Sequence, residues 1–424
     1  MSENRTVRRR RCAAWVVFIV YMAIVAVLLL RHENWRDEAQ SWLLARDLSP
    51  LGLFRQMSYE GHPCLWHLLL LPLTRLGLPY VSMNLLSLLL TATAAGLLLR
   101  KCSIPLWIKG LYLAGAPFLY WFPVISRSYA LVPPILFFMA VIYSRRRERP
   151  FVYGLLIALL VQTHVIMLGM AAALSLVWLG EAIMDFRRDR DGKTLARQGL
   201  GLALPLLSLI LLLAQLSGVQ ASSAYQPPAP TVTAVVEKLT SGLWLLVYGV
   251  MDGMPLPVIP TAAAALLSVL ILVLVPLLRK NSDVFKPLLI TLFAIVFQIL
   301  FSALYRPFTA HRIALWVPIV LWTYWLIWPH LKPGPYRLYA AALLVAFAIV
   351  PVWANSQTPW TDFCGTYSDS RNCADYIREN LPEDAVIYQV NGESVASVTA
   401  YLDADGMYDV QTGELTSFAT WAYT

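Results

Sequence analysis

The chain has 424 residues and a formal net charge of +8, but only 14% of its residues are charged and 58% are hydrophobic; its mean hydropathy is +0.61. An ordinary globular chain carries about 25% charged residues, and a chain this apolar cannot cover itself with polar surface. That excludes a soluble enzyme, a disordered chain and a nucleic-acid-binding module, and leaves lipid as the solvent.

In chain order, Arg5, Arg8, Arg9, Arg10 and Arg11 precede an apolar run over 13–30. No small-residue cleavage site follows it, so the run is expected to be a retained first helix and not a signal peptide. Next comes a loop, 31–79. Within it Trp35, Ala39, Trp42 and Leu43 recur at helical spacing, which predicts an amphipathic helix lying on the membrane surface, apolar side down. Ser49 and Pro50 form a cap followed by a helix-starting proline, which predicts a second short helix to about Met57. Residues 63–76 are apolar but short, and Pro72 and Arg75 interrupt them; an interfacial helix is expected. Further runs long enough to span cover 80–100, 105–124, 128–144, 150–166, 167–184, 196–216, 257–278, 285–304, 313–330 and 337–354. With the first, that makes eleven. Aromatic residues crowd the span ends (Tyr120, Trp121, Trp316, Trp322, Tyr324, Trp325 and Trp328) and are expected mostly as interfacial anchors.

Loop charge orients these spans. With 63–76 on the outer surface, 22 of the 33 Lys and Arg fall on the inner side, including the 145–149 cluster. Positive charge collects on the cytoplasmic side, so the expected topology is N-terminus in and C-terminus out. Three outer pieces result: 31–79, 217–256 with its turn-rich segment 226–230, and the tail from 355. The tail changes composition. Residues 369–380 read as a capped helix, 385–390 as a strand, 391–392 as a turn, 393–402 as a second helix, and 407–410 and 415–420 as short strands. The expected organisation is a transmembrane domain over 1–354 and a small extracytoplasmic α/β domain over 355–424. Five cysteines are too few for a disulfide framework; a bond between Cys364 and Cys373 and two free thiols are equally open.

The residues able to do chemistry gather on the outer side. Asp37 and Glu38 open the first loop helix, where acids favour the helix dipole; Glu60 and His62 follow on the same short loop. Arg127, Arg306 and Arg312 stand at outer span boundaries, as phosphate clamps or as side chains snorkelling to headgroups. His164 sits near the outer end of a span, where a polar group is costly unless it faces a cavity or bonds a neighbouring helix. His67 reads as structural.

Four elements carry a resemblance: Trp35-Arg36-Asp37-Glu38-Ala39, Glu60-Gly61-His62-Pro63-Cys64-Leu65, Ser126-Arg127-Ser128-Tyr129-Ala130-Leu131, and His311-Arg312 before a span. Together, over about residues 1–360, the chain resembles the GT-C superfamily of integral-membrane glycosyltransferases. Within it, the chain is most similar to the glycosyltransferase family 39-like group of protein O-mannosyltransferases and lipid A aminoarabinose transferases. Cys64 departs from that pattern, standing where a second proline is usual. The resemblance implies an all-α polytopic fold and transfer of a hexosyl or pentosyl group from a polyprenyl-phosphate donor. The acceptor would be a hydroxyl of a lipid, glycan or protein outside a bacterial plasma membrane. It also implies Asp37 as general base, with Glu38 and Glu60 orienting sugar or acceptor. His62, Arg127, Tyr129, His164, Arg306, His311 and Arg312 would line the substrate site. No cofactor is then required; the alternative is Mg²⁺ or Mn²⁺ on Asp37 and Glu38. Two other functions fit a polytopic chain: a transporter or flippase for a lipid-linked glycan, and an inactive lipid-binding subunit. No internal repeat is visible, which weighs against the transporter.

Overall fold

The computed structural model of the chain describes residues 2–217, 231–251, 258–305, 309–354, 357–382, 384–390, 392–410 and 412–419. The helices are α1 (Ser2–Arg31), α2 (Arg36–Asp47), α3 (Pro50–Glu60), α4 (Leu65–Arg75), α5 (Ser82–Lys101), α6 (Leu106–Ala114), α7 (Val132–Ile142), α8 (Pro150–Val161), α9 (Leu168–Asp189) and α10 (Gly192–Leu216). They continue with α11 (Val232–Met251), α12 (Val258–Leu278), α13 (Ser282–Leu304), α14 (Ala310–Ala314), α15 (Trp316–Ile327), α16 (Pro335–Ala354), α17 (Gln357–Cys364), α18 (Ser370–Asn380) and α19 (Gly392–Leu402). Three short strands, β1 (Tyr388–Gln389), β2 (Met407–Asp409) and β3 (Leu415–Thr416), form a sheet with β1 parallel to β2 and β2 antiparallel to β3. The molecule is predominantly helical.

Among the described residues, seven helical stretches are long and apolar enough to cross a membrane: Arg8–Arg31, Ser82–Lys101, Ser128–Arg145, Val165–Asp189, Gly192–Leu216, Ser282–Leu304 and His311–His330. Pro150–Val161, Ala265–Leu278 and Pro335–Ile349 are apolar but shorter. The run expected over 105–124 is not one helix. α6 ends at Gly115, and a π-helical turn, Pro117–Trp121, follows. The run over 150–166 stops at Val161, where Gln162, Thr163 and His164 break it. The segment 217–256, read as a loop, contains α11, whose Gly242 packs so closely on α13 that a Cβ would lie 2.5 Å from Ala303 Cα. Residues 226–230 lie outside the described residues.

Close approach is built with small residues, as expected where helices pack without a hydrophobic drive between them. α8 lies against α10, and a Cβ on Gly154 would fall 2.1 Å from the Gly201 carbonyl oxygen. The core between helices is aromatic: Phe118, Phe122, Phe137, Tyr153, Trp178 and Trp322 are fully buried. The aromatic belt expected at span ends is largely part of this core. Tyr120, Trp121, Trp322, Tyr324, Trp325 and Trp328 are buried between elements, while Trp316 is partly exposed and donates to Gln298 at 2.7 Å. Sequence position gives depth along a span but not which side of the helix faces protein.

The first loop folds as three short helices. Ser49 Oγ accepts from Gly52 N at 3.1 Å and opens α3, and Gly61 at φ +70° closes it. The interfacial run settles as α4. The apolar stripe of α2 is present, with Ala39, Trp42 and Leu43 buried, but it does not lie open on lipid. α2 is packed between α4 and α19, and every residue from Glu38 to Ala45 is buried.

The C-terminal segment covers α2's other side. It has its own small core of Ala374, Val398 and Met407, while Ala396 and Ala400 join the main core. Polar ties fasten it to the first loop. Asn34 N donates to Tyr401 Oη at 2.8 Å, Gln40 exchanges hydrogen bonds with Ala419 at 2.9 Å each way, and Arg46 donates to the Ala404 carbonyl at 2.9 Å. Glu33 accepts from Asp369 N at 3.1 Å and from Arg371 N, placing a carboxylate at the N-terminus of α18. Cys364 and Cys373 are both free and exposed.

Candidate functional site

Asp37 and Glu38 are consecutive, and helical geometry sends consecutive side chains in different directions. The result is two carboxylates with opposite fates. Glu38 is fully buried. Its Oε1 accepts from Ser126 N at 2.7 Å; its Oε2 accepts from Trp35 N at 3.1 Å and lies 3.0 Å from His32 Nε2. It fixes the start of α2 and clamps it to the 126–131 segment. Both oxygens of this carboxylate meet protein donors, which places Glu38 in the packing between α2 and the 126–131 segment.

Asp37 remains 28% exposed. Its Oδ2 pairs with an Arg127 terminal nitrogen, and Arg36 Nε lies 3.4 Å from Oδ1. Burial alone would raise the Asp37 pKa, but Arg127 above all, then Arg36, His311 and His62, hold it below the ordinary carboxylate value. Burial works against the Arg127 charge too, and the Asp37 carboxylate outweighs it and raises that pKa. Arg127 is 17% exposed and bound to the acid.

Around this pair the structure gathers rings. Arg127 lies over Tyr129, 5.9 Å from the ring centroid. Tyr129 stacks on His164 at 5.2 Å and tilts against His311 at 5.1 Å; His311 also meets Trp121 at 5.9 Å. His164 Nδ1 accepts from Ile166 N at 3.1 Å, and Arg312 is within electrostatic range of the same imidazole. His62 stacks on His67 at 5.5 Å. Burial, aided by Arg127, pushes the His62 pKa down to about 4, so the ring is neutral near pH 7. Among the described residues, the buried Nδ1 of His62 and both ring nitrogens of His67 have no hydrogen-bond partner.

Six residues singled out in the sequence thus converge: Asp37, His62, Arg127, Tyr129, His164 and His311. Glu60 stands at the rim, where it accepts from Gln40 Nε2 at 2.8 Å. Arg306 lies outside the described residues.

The sequence reading missed His32, Tyr120, Asp362 and Tyr367. His32 Nδ1 lies 2.7 Å from Asp362 Oδ2, to which Tyr120 Oη also donates at 2.8 Å; Tyr367 packs on the imidazole at 5.3 Å. A histidine directly after the first span, six residues before Glu38, was a usable signal for His32. Nothing in the sequence links it to Asp362, 330 positions away.

As a divalent-metal site the pair does not fit. Asp37 faces two guanidinium groups, and both Glu38 oxygens are taken by protein donors. Among the described residues, no group of three or more His, Cys, Asp or Glu is arranged to hold a metal. No protein-family model matches the chain, and no curated protein matches it either.

Proposed function

We propose that the chain is an integral-membrane glycosyltransferase that moves a sugar from a polyprenyl-phosphate donor to an acceptor hydroxyl, with Asp37 as general base and Arg127 as the donor-phosphate ligand. The observation that carries this reading is the Asp37–Arg127 pair itself. A partly exposed carboxylate is held against an arginine at the rim of a helical bundle, among rings with unsatisfied nitrogens. The resemblance to the GT-C superfamily supports it independently.

The chemistry follows from the two charges. The acceptor oxygen attacks the anomeric carbon as the bond from that carbon to the phosphate oxygen breaks. The bonding electron pair leaves with the phosphate, whose charge goes from about −1 to −2. Arg127 offers a planar fork of donors to that growing charge. The acceptor proton passes to Asp37. In the resting site Arg127 holds Asp37 below its ordinary pKa and so weakens it as a base. A donor phosphate that draws the guanidinium away raises Asp37's basicity when the acceptor needs it. His62, neutral near pH 7, can donate or accept a hydrogen bond beside the sugar without competing for the phosphate. Arg306 and Arg312 are the next candidates for the phosphate.

Reconstituted protein, presented with polyprenyl-phosphate sugars and hydroxyl acceptors in liposomes, tests the reading. Sugar transfer by wild type that disappears in Asp37→Asn, while donor binding persists, is the expected result. Transfer that survives in Asp37→Asn removes the base and makes Glu60 the next residue to test. EDTA is expected to leave the rate unchanged.

A further inference from the structure

His32 stands between two buried carboxylates. Nδ1 lies 2.7 Å from Asp362 and Nε2 lies 3.0 Å from Glu38. A neutral imidazole has one donor and one acceptor nitrogen, but ionised carboxylates only accept. Both contacts are satisfied together only when both ring nitrogens carry protons. Burial lowers the His32 pKa, and the Glu38 and Asp362 charges and hydrogen bonds outweigh it and raise it to about 9. Glu38 also accepts from the Ser126 and Trp35 amides, and Asp362 Oδ2 also accepts from Tyr120 Oη, while the buried Asp362 Oδ1 has no partner among the described residues. A continuous relay therefore runs from α17 through His32 and Glu38 to Ser126, the residue before Arg127.

We propose that His32 and Asp362 are positioning residues, through which the C-terminal segment holds Glu38 on Ser126 and thereby sets how Asp37 meets Arg127. Glu38 is the only side chain in the relay that touches both the start of α2 and the 126–131 segment. Without the imidazolium, Glu38 keeps a buried charge with one strong partner fewer, and the cost of that falls on the two backbone contacts that align the acid and the arginine. The C-terminal segment is on this account part of the working site although none of its described side chains hydrogen-bonds or pairs with Asp37. The effect on turnover rests on the transferase reading; the relay does not.

The test uses the full chain in lipid nanodiscs. Hydrogen–deuterium exchange over residues 124–129 reads the anchoring directly, because the Ser126 N–H is the group donated to Glu38. His32→Gln and Asp362→Asn are each expected to raise exchange there about tenfold, the effect of losing one charge-assisted hydrogen bond. The double variant should go no further than either single, since both break one relay. Asp362→Glu, which keeps the carboxylate, is expected to recover most of the protection. Unchanged exchange in His32→Gln, or single effects that add in the double variant, overturns the proposal. His32→Gln leaves the ties from Glu33, Asn34, Gln40 and Arg46 to the C-terminal segment in place, so it decides the matter even if Asp362→Asn loosens that segment. In sugar transfer the same variants should lose about tenfold in kcat while donor KM stays within about twofold, because Arg127 keeps its fork. If exchange responds as expected but wild type transfers no sugar, the transferase reading fails and the positioning role stands.

Discussion

The two ends of the helical bundle each hold a carboxylate against arginine, and they differ in how far the acid is enclosed. At one end Glu181 of α9 is 1% exposed. Arg146 donates to it from Nε at 3.1 Å and from a terminal nitrogen at 2.5 Å, and Lys286 reaches its other oxygen at 2.6 Å. That cluster joins the α7–α8 turn, the end of α9 and the start of α13, with both oxygens of the acid engaged and Arg146 lying over the Tyr143 ring, 4.0 Å from its centroid. At the other end Asp37 keeps more than a quarter of its surface open, and two stacked histidines with unbonded nitrogens lie nearby. A saturated ion cluster fastens helices. An unsaturated one keeps capacity for a ligand, and the difference lies in what surrounds the pair, since the charges are alike.

The sharpest way to break this comparison is to remove the acid at each end. Asp37→Asn should cost about 10²–10⁴ in kcat, the range of general-base catalysis, with the smaller loss of thermal stability of the two, since Asp37 is the more exposed acid. Glu181→Gln should do the reverse. It leaves Arg146, Lys286 and the more distant Arg147, 3.8 Å from the acid, clustered without it and should destabilise the fold by about 2–3 kcal/mol, under the roughly 3–5 kcal/mol of a fully buried pair because Lys286 is partly exposed. Thermal unfolding in detergent and transfer assays on the two variants check both halves. Equal effects of the two substitutions on both readouts would remove the distinction.

Arg127 sharpens the comparison within the open end. Arg127→Ala should weaken apparent donor binding by about 1.5–3 kcal/mol, the scale of hydrogen bonds to charged groups. Arg127→Lys should recover only part, since lysine supplies a point charge without the fork. An unchanged donor KM and kcat in Arg127→Ala would pass the phosphate role to Arg306 or Arg312.

The smallest effect is a pH dependence with two limbs. The folded pKa of His32 is raised to about 9 from an ordinary value near 6.5, so its contribution to stability is full below about 6.5 and lost as pH rises through 9. The folded pKa of His62 is lowered to about 4, so its contribution is full above about 6.5 and lost as pH falls toward 4. Unfolding temperature measured from pH 4 to 10 should flatten on the alkaline limb in His32→Gln and on the acid limb in His62→Gln. The two variants flattening the same limb would contradict the assignment of charge to these rings.

Much of this was legible in the sequence because it is local or compositional. The dominance of helix, the start of α3 at Ser49 and Pro50, the helix over 370–380 and the second over 392–402 follow from hydropathy, capping residues and turn signals, which act over a few residues. The convergence of Asp37, His62, Arg127, Tyr129, His164 and His311 was anticipated as a set of outer-side residues, because position relative to the spans fixes which end of the bundle a residue occupies. Tertiary structure decided the rest. It broke the run over 105–124 at Gly115 and Pro117, placed α11 where a loop was read, and turned the aromatic belt and the stripe of α2 into core, since an amphipathic pattern states that a face is covered but not by what. It also separated Asp37 from Glu38. Adjacent residues of one type read alike in a sequence, but a helix turns one toward an open rim and the other into protein. The imidazole that holds Glu38 there is fixed by Asp362, brought from the far end of the chain by packing that no local signal encodes.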